Sequence, residues 1–166
     1  MYEKGRGTRT PTCQRTVFNF CNLQEWKAKL KEWESEPRER QLSLVHQYLN
    51  PYQFTYVTDP VNWQMLDYWE SPEQFLKKFG DCEDYAIIKY LSLRELGWSA
   101  DDMRIVLLKD LNLRVNHAVL LVQFEGRQIV LDNQVRFDVI DAERIAHYQP
   151  YYSFNEKSYW SQQRSR

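Results

Sequence analysis

The chain has 166 residues, 43% of them hydrophobic and 15% aromatic, which suits one domain burying its own core and excludes a disordered chain. A formal net charge of -1, with no basic run interleaved with aromatics, excludes a general attraction to nucleic acid. No apolar stretch approaches the roughly 20 residues that cross a bilayer.

Met1-Tyr2-Glu3-Lys4-Gly5-Arg6 is followed by no apolar segment, so a signal peptide is not visible. A cytoplasmic protein and one whose leader has been removed both stay open. Residues 1–17 read as a flexible basic arm. Cys13 and Cys21 pair in an oxidising compartment, or all three cysteines, with Cys82, stay free; three are too few for a disulfide framework.

Asn22 is placed to cap a first helix in which Leu23, Trp26, Leu30 and Trp33 recur at helical spacing. Ser35-Glu36-Pro37 breaks it. Pro37 can start a second helix with the stripe Leu42, Val45 and Leu49, which Asn50-Pro51 ends. Residues 52–69 are aromatic-rich without a sustained period and read as an irregular packed segment. Ser71-Pro72 then has the chemistry of an N-cap with Pro at the first helical position, opening a short helix that Gly80 stops. The next helix carries Cys82, runs to about Leu96 and closes at Gly97. Ala86, Ile87, Ile88, Tyr90, Leu91 and Leu93 make it apolar over much of its surface, as a central core helix should be.

After Gly97 the period becomes that of strands: 103–108, 115–124 and 128–131, with Glu125-Gly126 turning between the last two. A short fourth strand is expected over 137–140, and Asp141 caps a brief helical turn to Ala146. Residues 151–160 form an aromatic tail, and 161–166 read as frayed. Helices first and an antiparallel sheet second predict one α+β domain over 18–160.

The chemistry concentrates in Gly80-Asp81-Cys82-Glu83-Asp84-Tyr85-Ala86. A cysteine attacks only as the thiolate, which a helix N-terminus and a nearby imidazolium favour. His117 lies in the alternating segment Val115-Asn116-His117-Ala118-Val119, and Asp132 follows across the hairpin, where its carboxylate can orient the imidazole. Taken singly, a buried Cys, a strand His and an Asp before a turn are more often structural. A thiol at a helix start followed by His and Asp on paired strands is the order a papain-like or transglutaminase-like nucleophile site needs.

Asp81, Glu83 and Asp84 suit the helix dipole, yet three carboxylates beside a thiol oppose thiolate formation. A hard cation on their oxygens would remove the conflict, and Ca²⁺ fits such ligands, with Asp101 or Asp102 as a weaker addition. Helix capping and cation binding both account for these acids, and the residues alone leave the two open. His46 and His147 have no cysteine near them in sequence and read as structural.

The GDCEDYA run, the segment around His117 and Val130-Leu131-Asp132-Asn133 resemble the bacterial transglutaminase-like cysteine proteinases, which include the LapG-type periplasmic adhesin proteases. Trp63, Asp67-Tyr68-Trp69, Lys89-Tyr90, Leu93-Arg94, Ser153-Phe154-Asn155 and Trp160 extend the resemblance over about 20–160. It implies a papain-like, transglutaminase-type fold and a triad of Cys82, His117 and Asp132. It also implies calcium dependence, with Asp81, Glu83 and Asp84 as metal ligands. The implied substrate is a large surface adhesin, cut at a small-residue site near its N-terminal anchor to control biofilm attachment. The implied regulator is an inner-membrane cyclic di-GMP receptor that restrains the protease in the periplasm. Members usually carry a secretory leader, and the basic arm matches no family pattern.

The expectation is therefore a calcium-dependent cysteine endopeptidase. Cys82 attacks, His117 shuttles the proton, and the Cys82 N–H serves the oxyanion with a second donor from Trp69 or Asn62. An acyltransferase or transglutaminase shares the first half-reaction and is separated by whether water or an amine resolves the acyl-enzyme. A silent binding protein of the same fold is the other alternative, and the intact triad argues against it.

Overall fold

The α-helices precede the strands along the chain, and the second half of the chain builds the sheet, mostly from short hairpins with one longer return. The computed structural model describes residues 22–51 and 54–161; the N-terminal arm, Cys13, Cys21 and the last five residues lie outside them. Helix α1 spans Asn22–Trp33, α2 Arg38–Tyr48, α3 Asp59–Asn62, α4 Pro72–Lys78 and α5 Cys82–Glu95. Six strands follow: β1 Met103–Asp110, β2 Val115–Phe124, β3 Arg127–Leu131, β4 Ile140–Asp141, β5 Tyr148–Phe154 and β6 Tyr159–Ser161. They form one sheet in the order β4-β3-β2-β1-β5-β6, and every neighbouring pair is antiparallel. The α+β expectation holds.

Local chemistry explains most boundaries. Ser71 and Gln74 form a reciprocal capping box at the start of α4, with Pro72 in its first turn. Phe79, at a φ of 64°, ends α4 one residue before the expected Gly80. Glu125 and Gly126 both take positive φ, the geometry of a tight hairpin turn between β2 and β3. Asn22 is the first residue of α1 rather than the residue before it, and its amide donates to the Leu76 carbonyl 2.8 Å away, tying α1 to α4. Pro37 likewise sits just before α2, not inside it.

Three expectations need correction. The segment read as irregular contains α3, opened by Asp59-Pro60, because Pro at the first helical positions costs no hydrogen bond. The fourth strand is displaced to Ile140–Asp141, and Asp141 spends its carboxylate on Arg127 at 2.9 Å instead of capping the turn behind it. The aromatic tail is not an appendage: β5 pairs with β1 and β6 with β5, so Ser161 closes the sheet. Pro150 stands opposite Leu108 at a register shift in β1, which hides the strand period from the sequence.

Tyr85, Ala86, Ile88 and Leu93 of α5 pack with Ile105, Leu120, Val122, Ile129 and Leu131 of the sheet, and Leu42 and Val45 of α2 complete this core. Two buried indoles latch the layers: Trp26 Nε1 donates to Ser92 Oγ at 2.8 Å, and Trp98 Nε1 to Gln41 Oε1 at 2.9 Å. The opposite face of the sheet carries a smaller cluster, Val106, Leu108, Val119 and Val130, covered by Ala142, Ile145 and Tyr148.

One core position violates the apolar rule. Lys89 of α5 is 0% exposed, and its Nζ has no hydrogen-bond partner among the described residues. Burial pushes its pKa down from 10.5 to about 7, against a smaller upward pull from Asp132. His46 of α2 is also buried and pushed down to about 3, by burial first and then by the Lys89 charge. Below about pH 7 the ammonium is charged in both the folded and the unfolded chain, and its burial opposes folding. From about 7 to 10.5 the unfolded chain binds the extra proton, so stability rises with pH. Lys89→Met is expected to add about 1–4 kcal/mol of stability at pH 6 and to flatten that rise, both read from urea unfolding across pH.

Candidate active site

Cys82 is the first residue of α5, so its backbone N–H is one of the helix's leading donors without an intrahelical acceptor. The turn before it is shaped by Asp84, whose carboxylate folds back to accept from the Asp81 N–H at 3.2 Å and from the Glu70 N–H at 2.7 Å. Gly80 makes this possible, because a Cβ there would lie 2.2 Å from Asp84 Oδ2. Asp59 binds a second strand of this loop: its Oδ2 accepts from the Tyr68 N–H, while its own N–H reaches Asp81 Oδ2 at 3.4 Å.

The sheet supplies the other half. His117 on β2 donates from Nε2 to Asp132 Oδ1 at 2.9 Å, with side chains 2% and 0% exposed. Leu120 pairs with Leu131, and this register carries Asp132, just past β3, back to the start of β2. Asp132 Oδ1 also accepts from the Gln134 N–H at 2.8 Å, and Oδ2 accepts from the Tyr148 hydroxyl. Burial pushes the Asp132 pKa up, but the His117 bond and charge, the Tyr148 hydroxyl and the Gln134 N–H together hold it below the usual carboxylate range. The Tyr148 ring meets His117 edge-on, centroids 5.8 Å apart. With Nε2 committed to the carboxylate, Nδ1 is the imidazole nitrogen that carries a lone pair.

Cys82 and His117 line one cleft, with Tyr56, Asp67, Trp69 and Ala118 around them. The thiol donates to Glu83 Oε2 at 3.2 Å. Burial pushes its pKa up, the Glu83 carboxylate pushes it further, and the Ala118 N–H works weakly the other way.

Carboxylates crowd this side of the cleft. Ligand atoms of Asp59, Asp67 and Glu83 come within 4.8 Å of one another, and so do those of Asp59, Asp81 and Asp84 and those of Asp81, Cys82 and Glu83. Asp59 Oδ1 and Asp81 Oδ1 are buried with no hydrogen-bond partner among the described residues. Glu83 is pushed up to about 8, by burial first and then by Asp81; Asp84 is pushed up to about 7, by burial first and with the Glu70 and Asp81 charges adding to it. Buried, unpaired, mutually repelling oxygens are the donor set a hard divalent cation takes, and the residues present fit calcium.

Of the residues singled out by sequence, Cys82, His117, Asp132, Asp81, Glu83 and Asp84 all come to this cleft or its wall. Both Asp84 oxygens already accept a backbone N–H, and the carboxylate still lies within reach of Asp59 and Asp81. Asp101 does not join them; Lys157 binds it at 2.8 Å. Trp69 Nε1 donates to Asp67 at 2.9 Å, and the Asn62 amide donates to the Phe79 carbonyl and to Glu70, so neither N–H is turned to the thiol. Asp59, Asp67 and Tyr148 escaped the sequence reading as site residues. Asp67-Tyr68-Trp69 was the one visible signal among them.

A thiol heading the central helix, with an imidazole–carboxylate pair on adjoining antiparallel strands, defines a papain-like, transglutaminase-type cysteine peptidase. The family model of bacterial transglutaminase-like cysteine proteinases matches residues 10–163, and the chain belongs to that family. Among solved structures it is similar to Legionella pneumophila LapG, at 33% identity over 85% of this chain and 78% of that one, with a TM-score of 0.75. The calcium-bound form of that protein matches at 32% identity over 89% and 81%, TM-score 0.77. Its EGTA-treated form matches at 33% over 86% and 77%, TM-score 0.76. Among curated protein sequences none matches significantly.

Tyr148→Phe removes one hydrogen bond to a buried carboxylate. It is expected to lower the unfolding free energy by about 1–3 kcal/mol in urea denaturation.

Proposed function

We propose that this chain is a calcium-dependent endopeptidase that cuts a large surface adhesin near its N-terminal anchor, releasing it and ending biofilm attachment. The observation that carries the catalytic part is the buried His117–Asp132 pair, 2.9 Å apart, lining one cleft with Cys82. His117 Nδ1 takes the thiol proton as sulfur attacks the scissile carbonyl, and returns it to the leaving amine. Asp132 holds the ring in the tautomer this requires and balances the imidazolium. The Cys82 N–H donates to the oxyanion. Water then hydrolyses the acyl-enzyme by the same base.

Asp59, Asp67, Asp81 and Glu83 would hold the calcium, with Asp84 in reach behind them. Bound there, the ion would supply the positive charge that offsets these carboxylates beside the thiol. The calcium-bound and EGTA-treated forms of the similar Legionella protein support this. We extend the proposal to this substrate, to a periplasmic location and to restraint by an inner-membrane cyclic di-GMP receptor on the sequence resemblance to LapG-type proteases. Incubating the purified chain with candidate surface proteins of its own genome, with and without calcium, tests the substrate assignment.

Cys82→Ala is expected to abolish cleavage in that assay while moving the unfolding free energy by less than about 1 kcal/mol; retained cleavage removes Cys82 as nucleophile. Chelation is expected to stop cleavage and added calcium to restore it. Asp59→Asn, by calorimetric titration with calcium, is expected to weaken binding by about tenfold or more. Full activity in excess chelator would leave the acids with a capping role alone.

A further inference from the structure

We propose that the Tyr56 hydroxyl is the second oxyanion donor, acting with the Cys82 backbone N–H. The inference rests on the peptidase reading above and adds a residue to it. The Cys82 N–H has no acceptor within its helix, since the first helical bond runs from the Tyr85 N–H to the Asp81 carbonyl at 3.1 Å. The phenol oxygen of Tyr56 lies within reach of that N–H as its acceptor. Tyr56 also lines the cleft that contains Cys82 and His117.

Its position is fixed from two directions. The ring stacks parallel on Tyr85, centroids 6.5 Å apart and planes within 6°. Tyr85 is itself locked in the core, 1% exposed, with its hydroxyl donating to the Phe54 carbonyl at 2.6 Å. The next residue, Val57, donates its N–H to the Gly80 carbonyl at 3.0 Å, two residues before the nucleophile. Tyr56 is therefore carried by the same loop that presents the thiol. At 46% exposure its ring still opens to the cleft, where a substrate carbonyl can reach it. Asn62 and Trp69, the other polar candidates, give their N–H groups to Phe79, Glu70 and Asp67.

In acylation, sulfur bonds to the carbonyl carbon and the carbonyl π pair moves onto oxygen. That oxygen displaces the Tyr56 oxygen as acceptor of the Cys82 N–H, and the released phenol turns its O–H onto it, so the oxyanion accepts from both. Collapse returns the pair, breaks the bond to the leaving group and releases both donors. A phenol retains its proton at neutral pH and donates without being consumed.

The test compares two reactions of Cys82 in the full chain with calcium added. p-Nitrophenyl acetate acylates through an oxyanion, whereas iodoacetamide alkylates by displacement at a tetrahedral carbon and builds none. Tyr56→Phe keeps the stacked ring and is expected to slow the acylation burst by about 10–100-fold. Its iodoacetamide rate should stay within about twofold of wild type, the rate range that marks an intact nucleophile. Unchanged acylation, or an equal fall in both rates, would overturn the assignment. Wild-type Cys82 that takes neither reagent faster than a free thiol would instead defeat the peptidase reading, and this inference with it; Cys82→Ala sets the background for both.

Discussion

The first turn of α5 holds more negative charge than a buried thiol tolerates, and the surrounding loops are organised by that excess. Asp84 folds back over Gly80 and takes the N–H groups of Asp81 and Glu70. Asp59 takes the N–H of Tyr68 and reaches toward Asp81. The segment from α3 to α4 is thus stitched to the start of α5 by carboxylates accepting backbone donors rather than by apolar burial alone. A carboxylate left without a counter-charge in such a place raises its own pKa and its neighbours'. Burial first and then Asp81 push Glu83 up to about 8, and it accepts from the thiol at 3.2 Å.

The sheet half of the site has the opposite character. Asp132 accepts from His117, Tyr148 and Gln134, so every demand on its two oxygens is met inside a buried pocket. The strand register, not a flexible loop, sets the distance between imidazole and carboxylate. A preformed imidazole–carboxylate pair therefore shares a cleft with a thiol whose state depends on charge balance. That division places control of the thiol on the helix side, where the acids are, and leaves the imidazole–carboxylate pair unchanged.

Sequence revealed the parts governed by local rules. α1, α2 and α5 follow from apolar spacing, α4 from Ser71-Pro72, and the β2–β3 hairpin from Glu125-Gly126. Cys82, His117 and Asp132 were visible because a helix start and one hairpin suffice to order them. β5 and β6 were not, since Pro150, a register shift and mostly exposed aromatics erase their alternation. Tyr148 went unrecognised with them. Asp59 and Asp67 approach Glu83 only because α3 turns the chain back, which no short-range pattern encodes. Lys89 was named in sequence only as part of the family resemblance, and nothing there marked the position as wholly interior, which follows from α2 and the sheet both packing on α5.

The sheet ends in β4, of two residues, and β6, of three. Edges this short offer an extended polypeptide few unpaired backbone groups along which to add as another strand. For a protein whose cleft must hold stretched-out chains, the lack of a long edge among the described residues shifts recognition from main-chain pairing to side chains. It also limits edge-to-edge pairing between copies of the chain.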